Sequence, residues 1–90
     1  GLNHRTAVTI ISRQPEAIRD EIMKKIQRGV TVLDGRGGYT GEEKEVLYIV
    51  INKPELVKLK ALVSNVDEDA FVVIHDVREV LGDGFQKAVK

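Results

Sequence analysis

The chain has no cysteine and no tryptophan, only two prolines, and four aromatic residues in all. Without cysteine there is no disulfide framework and no thiolate metal site. It also lacks an excess of either charge: fourteen basic side chains meet fourteen acidic ones, so the formal net charge is zero. An electrostatic grip on nucleic acid or anionic lipid needs a basic surplus, so this balance argues against both. Long apolar runs are missing too. The longest, Val46-Leu47-Tyr48-Ile49-Val50-Ile51, falls far short of the ~20 residues that span a bilayer. What remains is an ordinary globular composition, 42% hydrophobic and 31% charged over 90 residues, enough for one small domain.

Periodicity orders the elements. Thr6 to Ile11 is short and β-branched, a strand. Pro15-Glu16 opens a helix whose Ile18, Ile22 and Ile26 share one face, with Gly29 expected as its stop. Val30 to Leu33 and Glu45 to Asn52 read as the second and third strands. Pro54-Glu55 opens a second helix, with Leu56, Leu59, Leu62, Val63 and Val66 as its apolar stripe and Lys58, Lys60 and Ser64 on its wet side. Ala70 to Ile74 is the fourth strand; residues 77–90 form a tail, with a short helical turn expected and Leu81 and Phe85 as anchors. The order β-α-β-β-α-β predicts a single α+β, ferredoxin-like domain over 1–90, a four-stranded antiparallel sheet with both helices on one face. Strands one and three are expected in the centre.

A sheet wet on one side alternates apolar with polar residues. Here both faces are apolar: Leu47, Ile49 and Ile51 oppose Val46, Tyr48 and Val50, while Val72 and Ile74 oppose Phe71 and Val73. Either β-propensity alone loads these strands and the tail covers them, or the open face meets other copies of the chain. The size of the patch favours the second reading. The expectation is a homo-oligomer, a trimer above other states, through Val46, Tyr48, Val50, Phe71 and Val73.

The stretch Gly35-Arg36-Gly37-Gly38-Tyr39-Thr40-Gly41-Glu42-Glu43-Lys44 packs four glycines into seven residues. It is no Walker A loop, since Glu42 follows Gly41, and no dinucleotide fingerprint, since Thr40 stands where a glycine is needed. Two readings stay open. Either the glycines supply positive φ at a hairpin tip, or the tip exposes backbone N–H groups as a ligand nest with Arg36, Tyr39, Thr40 and Lys44. If the loop serves binding, Gly37→Ala and Gly38→Ala are expected to leave the unliganded fold as stable as before.

No catalytic constellation emerges. His75 beside Asp76 has no paired nucleophile, and His4 and His75 lack zinc spacing. Asp67, Glu68, Asp69 and Asp76 fit no calcium loop and read as solvated. The aromatic signature of an RNA-recognition motif is missing from the third strand, so no nucleic-acid partner is expected. No enzyme activity, metal or cofactor is expected.

The runs Arg28-Gly29-Val30-Thr31, Gly35 to Gly41 with Lys44, Asp69-Ala70-Phe71, and Glu79-Val80-Leu81-Gly82-Asp83-Gly84-Phe85 together resemble the C-terminal soluble domain of the YitT family of bacterial multi-pass membrane proteins. The resemblance covers nearly the whole chain. It implies a ferredoxin-like domain akin to trimeric PII-like signalling proteins, on the cytoplasmic face of a cell membrane, with residues 1–5 as the junction to preceding transmembrane segments. It also implies small ligands bound between subunits near the loop after strand two. The acidic run Asn65-Val66-Asp67-Glu68-Asp69 would repel a triphosphate there. Function is expected to be regulatory or ligand-sensing, the alternative being an oligomerisation module with no ligand.

Overall fold

The computed structural model describes residues 4–82. The elements run β1 (Arg5–Ile11), α1 (Pro15–Lys25), β2 (Thr31–Arg36), β3 (Glu43–Ile51), α2 (Lys53–Val66) and β4 (Phe71–Val77). The sheet is antiparallel in the order β2-β3-β1-β4. It is the expected ferredoxin-like α+β fold, with β1 and β3 in the centre. α1 lies against β3, α2 against β1, and the two helices touch each other. One apolar layer results: Val8 and Ile10 of β1 and Leu47, Ile49 and Ile51 of β3 meet Ile18, Ile22 and Ile26 on one side and Leu56, Leu59, Leu62 and Val63 on the other.

Local chemistry accounts for the helix ends. Pro15 at the first turn has no N–H to leave unsatisfied, Glu16 suits the positive end, and Lys24 and Lys25 suit the negative one. Gln14 donates its N–H to Ser12 Oγ at 2.9 Å, fixing the approach to the helix. The stop, however, is not Gly29. Ile26 and Gln27 both donate their N–H to Ile22 O, and Gln27 takes the left-handed conformation at φ 59°. α2 begins with a capping box: Asn52 Oδ1 accepts from Glu55 N–H at 2.9 Å and Glu55 Oε1 accepts from Asn52 N–H at 3.0 Å. The second carboxylate oxygen of Glu55 accepts from Arg28 Nε at 3.0 Å, which ties the end of α1 to the start of α2.

Three strand boundaries differ from expectation by two residues or more. β2 extends through Gly35 and Arg36 and β3 starts at Glu43, because Arg36 pairs with Glu43, Gly35 with Lys44 and Asp34 with Glu45. β4 runs on to Val77, held by the pairing of Arg5 with Val77. The expected helical turn in the tail does not form over 78–82, and Leu81 is no anchor, being 83% exposed. Phe85 and the rest of the tail, like residues 1–3 of the proposed junction, lie outside the described residues.

Candidate functional site

Strand register gathers the predicted interface residues. On the face away from the helices, Leu33, Val46, Ile11 and Phe71 form one row across all four strands. Thr31, Tyr48, Thr9 and Val73 form the next, and Val50, Ala7 and His75 the third. All five expected residues, Val46, Tyr48, Val50, Phe71 and Val73, therefore share the open face. Phe71 is 61% exposed and Tyr48 38%; Val46, Val50 and Val73 are half-buried by their neighbours. Leu33, 47% exposed, and Ile11 belong to the same row but were not singled out in the sequence. The signal was available: Leu33 sits directly across from Val46 once the hairpin register is fixed.

The glycine-rich stretch becomes a ribbon. Pairing of β1 with β3 begins only at Ile11 and Val46, so Asp34–Arg36 and Glu43–Glu45 project beyond β1 as two strands. At the tip Gly37 N–H donates to Glu42 O at 2.8 Å and Gly41 N–H to Gly37 O at 2.9 Å. Gly41 has φ +74°, where a β-carbon is strained. A β-carbon on Gly37 would lie 2.6 Å from Thr40 Oγ1, the hydroxyl that accepts from Glu42 N–H at 3.2 Å. One on Gly35 would press on Val46 Cγ2 at 3.0 Å. Gly38 meets nothing within 4 Å and does not lie in the left-handed region. Backbone geometry and close packing therefore account for three of the four.

The proposed side chains do not all converge. Alternation puts Lys44 on the open face with Val46, and Arg36 on the helix face with Glu45. That assignment agrees with Arg19 of α1 reaching Glu45 Oε1 at 3.4 Å. Two cations on opposite sides of a ribbon cannot clamp one anion. Tyr39 and Thr40 occupy the tip, both exposed. Below it opens a groove of about 740 Å3, lined by Glu42, Glu43, Glu45, Asp67 and Asp69 together with Arg13 and Lys44. Carboxylates outnumber cations there. No group of carboxylates and histidines among the described residues could hold a metal ion.

The acidic run before β4 is more than a solvated loop. Ser12 Oγ donates to Asp67 Oδ2 at 2.6 Å, Arg13 N–H to the same oxygen at 3.2 Å, and Asp69 N–H to Oδ1 at 3.0 Å. Asp67 thus joins the β1–α1 connection to the α2–β4 connection. The Ser12 hydrogen bond, helped by the Asp69 and Arg13 N–H groups, holds its carboxyl below the usual carboxylate range. His75 is exposed on the open face, and His4 Nε2 lies 3.0 Å from Asp76 Oδ1.

Residues 28–82 match a family described as an uncharacterized protein conserved in bacteria, DUF2179. The chain belongs to the DUF2179 family. Its relatives include the UPF0750 membrane protein YxkD of Bacillus subtilis, 51% identical over 85 residues, which cover 94% of this chain and 31% of that protein. UPF0750 membrane protein YitT of the same organism is 34% identical over 73 residues, 81% of this chain and 26% of that protein. This DUF2179 domain thus spans about a third of the curated relatives it matches, and they are membrane proteins. A crystal structure of a DUF2179 protein from Eubacterium ventriosum, 37% identical, superposes with a TM-score of 0.70 over 79% of this chain and 97% of that one. Among the described residues no helix is long and apolar enough to cross a membrane.

Proposed function

We propose that this DUF2179 domain is an assembly and regulatory domain of a bacterial membrane protein, working on its cytoplasmic side. It binds rather than catalyses, and it self-associates through the open face of its sheet. The observation that carries this reading is the apolar row Leu33–Val46–Ile11–Phe71, with Tyr48, Val50 and Val73 behind it. Such a face loses free energy to water at roughly 25 cal/mol per Å2 until another surface covers it. The resemblance to trimeric PII-like proteins favours three copies over two. Light scattering at tens of micromolar tests the reading: a mass above one chain supports it, and a monomer there defeats it.

A second reading adds a small ligand at the ribbon. What supports it is the tip itself, where Gly38 stands in open space and Tyr39 is wholly exposed. Hairpin geometry requires neither. The carboxylates of the neighbouring groove favour a neutral or cationic ligand over a phosphate. A thermal-shift screen separates this from a ligand-free module, since ligand at 100 times Kd adds ~2.7 kcal/mol. A screen in which no compound moves the transition removes the ligand reading and leaves self-association standing.

A further inference from the structure

Zero net charge conceals a separation of charges. α2 has a single carboxylate, Glu55, and that group is turned inward onto Asn52 N–H and Arg28. Its outer face holds Lys53, Lys58 and Lys60, all exposed, and none of them is in an ion pair among the described residues. α1 differs: its Lys24 and Lys25 both reach Glu21, at 3.9 and 2.9 Å. At 100° per residue, Val57 and Ala61 form the crest of α2, with Lys53 and Lys60 on one flank and Lys58 on the other. Val57 is 70% exposed. The acidic side chains Glu42, Glu43, Asp67, Glu68 and Asp69 gather around the ribbon and the start of β4, at the end of the sheet that α2 reaches with its last residue and away from Lys53. Lys60 shares a groove wall with Glu68, and Glu55, three residues before Lys58, is committed to Asn52 N–H and Arg28.

We infer that the outer face of α2 rests on an anionic phospholipid surface. Lysines flanking an apolar crest let the crest meet the headgroup boundary while the ammonium groups reach phosphates on both sides. The acidic end is repelled by the same surface, so the field orients the domain as well as attracting it. The inference rests on the placement of this domain in a membrane protein. It does not depend on self-association, because α2 lies on the opposite side of the sheet from the proposed interface.

Co-sedimentation of the chain with vesicles tests it. Partition into phosphatidylglycerol–phosphatidylcholine vesicles at low salt is expected, with little into phosphatidylcholine alone and a loss at high salt. Three surface lysines together account for roughly 100-fold in partition, so Lys53→Glu/Lys58→Glu/Lys60→Glu should weaken it by at least that much. Circular dichroism checks that the variant stays folded. A second variant, Lys53→Gln/Lys58→Gln/Glu42→Gln/Glu43→Gln, keeps the net charge at zero without creating a new basic cluster and is expected to lose partition as well. Equal partition into both vesicle types, none into the anionic ones, or unchanged partition of either variant would overturn the proposal. Light scattering without lipid reports self-association separately.

Discussion

Replacing the glycines of the ribbon one at a time by alanine should produce a graded series. At Gly41 the φ of +74° forces an L-residue into the left-handed region, which costs roughly 1–2 kcal/mol. For a domain of this size that is about 4–15 °C in Tm. At Gly37 the new methyl displaces the Thr40 hydroxyl, 2.6 Å away, from its bond to Glu42 N–H. One exposed hydrogen bond is worth about 0.5–1.5 kcal/mol. At Gly38 nothing stands within 4 Å, and alanine should be neutral or stabilise by up to ~1 kcal/mol through the unfolded chain. Thermal unfolding followed by circular dichroism reads all three. The backbone account fails if Gly38→Ala destabilises as much as Gly41→Ala, or if Gly41→Ala changes nothing.

Removing the cap with Asn52→Ala should cost about 1 kcal/mol in urea unfolding. Glu55→Ala should cost more, roughly 2–3 kcal/mol, because the carboxylate holds both Asn52 N–H and Arg28; equal losses would show that the Arg28 contact contributes nothing. Asp67 titrates below its usual value of 3.8 in the folded state, so its contribution is present above that pH and disappears as pH falls through the lowered value. The stability gap between wild type and Asp67→Asn should therefore be largest near neutrality and close in acid; a gap independent of pH refutes the role given to Ser12. The Thr6 hydroxyl is fully buried with no hydrogen-bond partner among the described residues. Thr6→Val should therefore stabilise by about 1 kcal/mol, and a destabilised variant would point to a bound water.

Much of this was legible because apolar periodicity and burial share one physical cause. Ile18, Ile22 and Ile26 fall on the core at i, i+4, i+8, and Leu47, Ile49 and Ile51 alternate onto it. Boundaries were harder. Gly29 looked like a helix stop, yet Ile22 O captured the N–H groups of Ile26 and Gln27 first, and a glutamine took the left-handed turn. The sequence offered Arg36 and Lys44 as one basic pair, but which face each occupies depends on hairpin register, a long-range property. Gly37 and Gly38 look alike in sequence and differ only because Thr40 folds back beneath the first. The Asp67 contacts to Ser12 and Arg13 join segments more than fifty residues apart, which no local pattern announces.

In the proposed function, the open face of the sheet holds copies of this domain together. Sedimentation equilibrium at tens of micromolar on the wild type and on Tyr48→Lys decides whether it does. Tyr48 lies in the middle of the face, between Thr31 and Thr9, so a lysine there puts an unpaired charge inside the contact. The wild type is expected at three times the 10.0 kDa of one chain, and Tyr48→Lys at a single chain with its fold intact. A wild type that sediments as one chain, or a variant that assembles as the wild type does, rules out self-association through this face.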